Sequence, residues 1–147
     1  MLSDTEILVK NMTDTSDIAL CFETYQELRP HLTDRLLFTQ QVKHQQDEEG
    51  FHLSAIQEQN SIVACVGYRI MTTLAWGKIV YIDDLITRAS CRGRGFGGRL
   101  LEHVDAFAKE NGCVQVHLDS GYQRNAAHRV YLNHGFELAC HHFAKKL

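Results

Sequence analysis

Several features that mark specialised classes of protein are scarce in this sequence. The 147 residues include one proline and one tryptophan, and the five cysteines form no Cys-x-x-Cys pair. Scattered cysteines argue against a disulfide framework or a zinc site, and they favour reduced thiols in the cytoplasm. No apolar run approaches transmembrane length, and the acidic start (Asp4, Glu6) does not fit a signal peptide. We therefore expect a cytoplasmic protein that does not associate with membranes.

An excess of positive charge is missing as well. Lysine and arginine total 15 against 18 aspartates and glutamates, which gives a formal net charge of −3. Affinity for nucleic acid depends largely on basic residues, so we expect no nucleic-acid partner. Because no repeat, low-complexity tract or linker interrupts the chain, residues 1–147 are predicted to form one domain.

Glycine and arginine, in contrast, are concentrated in residues 92–99. The apolar, β-branched run from Lys78 to Thr87 predicts a buried strand, and apolar residues at helical spacing follow from Phe96 to Ala108. Four glycines therefore lie where a strand turns into a helix: Gly93, Gly95, Gly97 and Gly98. Glycine lets a ligand approach the backbone, and the first N–H groups of a helix attract anions. This arrangement predicts an anion site, most often one for phosphate.

The motif around these glycines narrows the choice of ligand. The pattern Gly-x-Gly-x-x-Gly occurs, but it lacks the βαβ context of a dinucleotide site, and no Walker Gly-Lys-Ser/Thr sequence is present. The pattern Arg-x-x-Gly-x-Gly fits better, with Arg92, Gly95 and Gly97 following a strand that ends Asp-Leu-Ile-Thr. This stretch resembles the acetyl-CoA signature of the GNAT-type N-acetyltransferases. A loop shaped only for tight packing is the alternative interpretation.

The order of predicted elements resembles the same family. Periodicity and turn residues predict β-α-α-β-β-β-α-β-α-β, with strands at Glu6–Met12, Phe51–Ile56, Ile62–Met71, Lys78–Thr87, Val114–Asp119 and Phe136–Phe143. Gly67 suggests a bulge. The expected fold is α/β (α+β): a mixed, mostly antiparallel sheet with one splayed parallel pair, flanked by about four helices. A second motif, Ala-x-x-x-Tyr-x-x-x-Gly-Phe, begins at Ala127 and includes Tyr131.

The resemblance implies where acetyl-CoA binds. Its pyrophosphate is expected on the backbone from Gly93 to Gly98, with Arg92 and Arg94 nearby, and its pantetheine arm along the strand. The implied cofactor-binding residues are Leu85, Ile86, Thr87, Arg92, Gly93, Arg94, Gly95, Phe96, Gly97, Gly98, Arg124 and Asn125. Many members have asparagine where this chain has Arg124, so that position could hold either the cofactor or an acidic group of the acceptor. None of the nine histidines has zinc-site spacing, and we expect no metal.

The resemblance also implies catalytic residues. Tyr131 is expected to be the general acid that protonates the leaving thiolate, although helical spacing would also allow a core aromatic. Asp83 is expected to be the general base or an anchor for the amine. Neighbouring strand residues point to opposite faces, which groups Asp83 with Tyr81 and Leu85. Asp84 is the competing candidate, and its alternative role is structural, as a residue that caps a loop or pairs with an arginine.

These features predict an N-acetyltransferase that moves an acetyl group from acetyl-CoA directly to an amine, with a small-molecule amine favoured. The alternatives are a non-catalytic acyl-CoA-binding or partner-binding module on the same fold, or a protein N-acetyltransferase. The resemblance also implies a homodimer, because the segment Phe136–Leu147 is short for the final hairpin that this family often has and would leave a sheet edge unpaired.

Overall fold

The computed structural model describes residues 7–147. Its strands are β1 (Val9–Asn11), β2 (Phe51–Glu58), β3 (Ser61–Thr73), β4 (Gly77–Thr87) and β5 (Gln115–Leu118). Its helices are α1 (Thr15–Leu20), α2 (Phe22–Leu28), α3 (Arg35–Glu48), α4 (Phe96–Glu110) and α5 (Asn125–Asn133), and a short 3-10 turn covers Ala89–Cys91. No helix among the described residues combines the length and apolar character needed to cross a bilayer.

The five strands form one sheet in the order β1-β2-β3-β4-β5. The first three pairs are antiparallel, and β4 and β5 are parallel because α4 connects them as a crossover. This confirms the predicted mixed, mostly antiparallel sheet with one parallel pair. Helices pack on both faces, which accounts for the apolar character of β3 and β4.

Local signals explain most helix ends. The Asp34 carboxylate accepts a hydrogen bond from the Leu37 N–H at 3.0 Å and caps α3. At the other end of the fold, α4 stops at Asn111, and Gly112 follows with a φ of 70°. The helix predicted before Pro30 is divided into α1 and α2, which meet at Cys21. The structure therefore has five helices in its described part where four were expected.

Two apolar layers cover the two faces of the sheet. The first lies under α1, α2 and α3 and is centred on Ile18, Phe22, Tyr25, Phe38, Phe51, Cys65 and Ile86. The second lies under α4 and is centred on Val66, Tyr68, Val80, Ile82, Phe96, Leu100 and Val104. Leu85, Val130 and Tyr131 pack against the α4 layer, so α5 lies on that face.

Successive side chains of β4 do not alternate strictly between the two apolar layers. Gly67 pairs with Asp84 and Tyr68 pairs with Ile82, which leaves Asp83 as an extra residue between them. The irregularity lies at Gly67, as predicted, but the additional residue is on the partner strand. Leu85 consequently packs with Val80 and Ile82, whereas Ile86 enters the opposite layer. The predicted grouping of Asp83 with Leu85 on one face is therefore wrong.

Gly67 is also a point of close approach. A Cβ atom built there would lie 2.5 Å from Phe51 Cζ and 2.7 Å from the Tyr25 hydroxyl. Both distances are far inside van der Waals contact, so only glycine lets these two aromatic side chains cover the strand at this place.

The two ends of the chain differ from the expected strands. The predicted strand Phe136–Phe143 is wrong, because residues 134–147 contain no strand and Leu138 and Phe143 are 92% and 90% exposed. Apolar residues alone do not make a strand, because a strand also needs a neighbouring strand for its backbone hydrogen bonds. Strand β1 is shorter than predicted, and Glu6 lies outside the described residues. Strand β5 forms one edge of the described sheet, and the homodimer remains a prediction.

Candidate active site

Strands β4 and β5 separate in the middle of β4. Their pairing extends from Ile79 with Gln115 to Ile82 with Leu118, and β4 then continues to Thr87 beside β3 alone. The edge of β4 from Asp83 to Thr87 that faces away from β3 therefore has no strand beside it among the described residues. Arg92 Nε donates to the Thr87 carbonyl at 3.3 Å. Arg88 N–H donates to the Val63 carbonyl of β3, and the backbone groups of successive strand residues alternate in direction, so Ile86 also faces β3. The result is a slot whose wall offers backbone hydrogen-bonding groups at Leu85 and Thr87.

The glycine-rich turn lies at the end of this slot. Gly93 and Gly95 have φ values of 82° and 83°, in the left-handed region, and a Cβ on either would meet no atom within 4 Å. Gly95 is the N-cap of α4, and its carbonyl accepts the first helical hydrogen bond from Arg99 N–H at 3.1 Å. The N–H groups of Phe96, Gly97 and Gly98 precede that bond and point out of the helix end.

The arginines of the turn have different surroundings. Arg94 donates through Nη1 to Glu58 Oε1 at 2.8 Å and through Nη2 to the second carboxylate oxygen. Its guanidinium also lies 4.7 Å from the centre of the Phe96 ring. Arg94 therefore ties the turn to the end of β2, and this hydrogen bond lowers the pKa of Glu58. Arg92 is exposed beside the turn and is the better placed of the two for an added anion.

Helix α5 packs against the start of α4. A Cβ on Gly98 would lie 2.8 Å from His134 Nε2, and one on Gly97 would lie 3.8 Å from Val130 Cγ1. The residues predicted to flank the ligand at this helix occupy its beginning: Arg124 is the N-cap of α5, and Asn125 is its exposed first residue.

Tyr131 lies half-buried on α5. Its ring makes an edge-on contact with Phe136 at 5.9 Å between centroids. Burial raises the pKa of Tyr131, and the Arg124 charge and the Ser120 hydroxyl lower it in part. Ser120 follows β5, so Tyr131 lies close to the end of the strand that borders the slot. A phenol with a raised pKa is protonated at neutral pH and can donate a proton.

Asp83 is held by β3. Arg69 Nε donates to its Oδ1 at 3.0 Å and Nη2 to its Oδ2 at 2.5 Å. The third guanidinium nitrogen lies 3.7 Å from Glu49 Oε2. Each oxygen of Asp83 accepts one of these bonds and retains a second lone pair.

Asp84 is held by α2 and the residue that follows it. Arg29 donates to Oδ1 from Nη2 at 2.8 Å and from Nε at 3.3 Å, and the Tyr25 hydroxyl donates to Oδ2 at 3.2 Å. The predicted partner of Asp84 is thus an arginine. The Asp84 side chain is only 15% exposed. Burial raises the pKa of Asp84, and the bonds from Arg29 and Tyr25 oppose this only in part.

Both aspartates line one cavity of about 210 Å³ on the α1–α3 face of the sheet. Its other lining residues are Tyr25, Arg29, His31, Leu32, Phe38, Gln41, Val42, Gln45 and Phe51. Asp83 and Asp84 directly follow the last β4 residue paired with β5, so the cavity lies next to the start of the slot.

No sequence pattern indicated a role for Arg29 or Arg69. Each is a single arginine outside any motif, brought to β4 by the packing of α2 and by the β3–β4 register. No cluster of three His, Cys, Asp or Glu side chains in the described part of the chain is arranged to hold a metal ion.

A parallel strand pair that separates beside a glycine-rich helix start, with a tyrosine on the following helix, is an arrangement suited to an acyltransferase. A family model described as Acetyltransferase (GNAT) family matches residues 14–136. The chain belongs to this family, which confirms the resemblance in the sequence and supports acetyl transfer as its activity.

Individual proteins are similar to this chain over most of its length. An uncharacterised N-acetyltransferase of Bacillus subtilis, YhdJ, is 32% identical over 117 residues, which cover 80% of this chain and 82% of that protein. A crystal structure described as a transcriptional regulator from Bacillus halodurans has a TM-score of 0.86 at 19% identity, covering 97% of this chain and all of that one. A predicted acetyltransferase from Clostridium acetobutylicum, crystallised with acetyl-CoA, has a TM-score of 0.72 at 17% identity, covering 95% and 96%. These two structures show the shared fold.

The raised pKa of Asp84 predicts a pH-dependent contribution to stability. Because its folded-state pKa lies above the ordinary value of 3.8, the folded protein binds more protons than the unfolded chain between those two values. Compared with Asp84→Asn, the wild type should therefore gain unfolding free energy as the pH falls from about 7 to about 4. Urea unfolding of both proteins across this range measures the difference.

Asp47→Asn, which changes an exposed carboxylate of α3, is the matched control for removal of an aspartate charge. If the difference moved in the opposite direction, the hydrogen bonds from Arg29 and Tyr25 would outweigh burial, and the interpretation of this carboxylate would be wrong.

Proposed function

We propose that the protein transfers an acetyl group from acetyl-CoA directly to the amine of a small molecule. The slot between β4 and β5, which ends at the glycine-rich start of α4, is the observation that supports this most strongly. The related fold crystallised with acetyl-CoA adds support. The cavity on the α1–α3 face supports a small acceptor, because at about 210 Å³ it is smaller than most drug-sized ligand sites.

The residues of the slot fit the chemical parts of acetyl-CoA. The N–H groups of Phe96, Gly97 and Gly98, together with Arg92, suit a pyrophosphate, since both donors and charge are present. The free edge of β4, with backbone groups of Leu85 and Thr87 on either side of Ile86, suits the amide groups of pantetheine, which pair with a strand edge as a peptide does. Arg124 and Asn125 at the start of α5 are positioned for further polar contacts. The cosubstrate supplies an activated acetyl group as a thioester.

In the proposed transfer the neutral amine forms a C–N bond to the thioester carbonyl carbon, and the C–S bond breaks. The leaving thiolate takes the hydroxyl proton of Tyr131. Asp83 accepts a proton from the amine, directly or through water, using a lone pair that Arg69 leaves free. No metal and no covalent enzyme intermediate is required, because the chain orients the two reactants and exchanges protons.

Gly97→Val tests the cofactor site. A valine side chain at the helix start would narrow the space between Thr87 and Val130 beside the N–H groups, so affinity for CoA should fall by roughly tenfold or more. A Cβ at Gly97 meets only ordinary contacts, and the Tm of the variant shows whether the two further methyl groups of valine are accommodated. Titration calorimetry with CoA measures the affinity. Ala106→Val, on the exposed side of the same helix, should bind CoA as the wild type does. If Gly97→Val bound CoA as tightly as the wild type, the start of α4 would not be the anion site.

Tyr131→Phe tests the general acid. The ring and its contact with Phe136 are retained, so stability and CoA affinity should be preserved, whereas kcat should fall by roughly 10²–10⁴-fold. Detection of released thiol at saturating acetyl-CoA and amine gives kcat. Tyr122→Phe removes a hydroxyl from a largely exposed tyrosine and serves as the control. An unchanged kcat under conditions where chemistry limits the rate would assign Tyr131 to packing alone.

Asp83→Asn tests the proposed base. Activity should fall most at lower pH, where the amine is mainly protonated and its deprotonation needs assistance. Asp84→Asn should instead lower mainly the Tm, since it removes the partner of Arg29. Both pH–rate profiles are measured with the same amine. Loss of the basic limb in a folded Asp84→Asn protein, with the profile of Asp83→Asn unchanged, would exchange the two roles.

A further inference from the structure

We propose that the acceptor is a small amine that also carries an anionic group, a carboxylate or a phosphate, and that Arg29 binds this group. The inference rests on the proposed function and names the substrate class for the same site. In this arrangement the amine lies beside Asp83, and the anion lies beside Nη1 of Arg29.

The part of the cavity that is lined by the two aspartates and by aromatic side chains is suited to an amine. Asp83 and Asp84 lie where β4 leaves β5, which is also where the cavity adjoins the slot. Tyr25, Phe38 and Phe51 are buried and form an aromatic floor. Carboxylates and aromatic faces both attract an amine in its protonated form. An amine bound here would be directed toward the free edge of β4.

The other lining residues of the cavity carry positive or neutral polar groups. Among the lining residues, the ionisable side chains other than the two aspartates and Tyr25 are Arg29 and His31, and the polar neutral ones are Gln41 and Gln45. Asp83 and Asp84 are the only carboxylates among these lining residues. Asp83 is already paired with Arg69 and Asp84 with Arg29, so no lining carboxylate is left unpaired for a second ammonium group, which Arg29 would also repel. This charge pattern disfavours diamines and favours a molecule with an amine at one end and an anion at the other.

Arg29 is prepared for such a group by its existing contacts. Its Nε and Nη2 bind Asp84 Oδ1, and Nη2 also donates to the Asp83 carbonyl at 3.2 Å. These bonds fix the plane of the guanidinium, while Nη1 has no hydrogen-bond partner among the described residues and the side chain is 43% exposed. A fixed guanidinium with free N–H donors binds carboxylate and phosphate with little loss of conformational entropy.

The test compares acceptors that differ only in their second group. The wild type is assayed for thiol release with γ-aminobutyrate, putrescine and aminobutanol, and separately with phosphoethanolamine and ethanolamine. Glycine and β-alanine vary the distance between amine and carboxylate. We expect kcat/KM to be at least about tenfold higher for the anionic amines than for the matched alcohol or diamine. The carboxylate and phosphate series show which anion the site takes.

Arg29→Gln tests the assigned residue. The KM of the preferred anionic amine should rise by roughly 10–100-fold, the KM of the neutral amino alcohol should change little, and CoA affinity should be retained. Arg29→Lys keeps the charge and should restore part of the lost affinity, which also covers the case in which Arg29→Gln is unstable. Arg35→Gln changes a nearby arginine that does not line the cavity and should leave both KM values unchanged.

Transfer to aminobutanol or putrescine that is as efficient as transfer to the anionic amines would overturn the proposed substrate class and leave acetyl transfer intact. An equal rise in KM for charged and neutral acceptors in Arg29→Gln would assign Arg29 only to holding Asp84. Failure of every amine in the panel to release thiol would contradict the proposed function together with this inference.

Discussion

Strand β4 has one more residue than β3 between the Gly67–Asp84 and Tyr68–Ile82 pairs, and that residue is Asp83. The extra residue reverses which side chains enter each apolar layer: Ile82 packs under α4, and Ile86 packs under α1–α3. A bulge also bends and twists a strand, and β4 leaves β5 directly at this point. The slot, the two carboxylates and the cavity beside them all depend on this local change of register.

The same region concentrates charge at a partly buried position. Taking a carboxylate out of water costs free energy unless partners compensate it. Asp83 is compensated by Arg69 of β3, and Asp84 by Arg29 together with the Tyr25 hydroxyl. These contacts tie α2, β3 and β4 together around the cavity. Burial nevertheless raises the pKa of Asp84 in spite of its partners.

Features that depend on neighbouring residues could be predicted from the sequence. The turn from β4 into α4 is marked by its glycines, and the crossover to β5 follows from the helix between two strands. Features that depend on long-range register could not. The direction of the side chains after Asp83 follows from the pairing of β4 with β3, and Arg29 reaches Asp84 from 55 positions away. The apolar alternation from Phe136 onward indicated a strand, but a strand also requires a partner, and the described residues provide none.

We propose that the free edge of β4 and the start of α4 form the binding surface for acetyl-CoA. Backbone hydrogen exchange measured with and without CoA tests this most directly, because it reports each amide separately and does not require knowledge of the acceptor. We expect slower exchange on CoA binding for amides within residues 85–87 and 93–98, with little change in β1 and β2. Protection confined to other elements, or CoA binding that leaves these two segments unchanged, would contradict it.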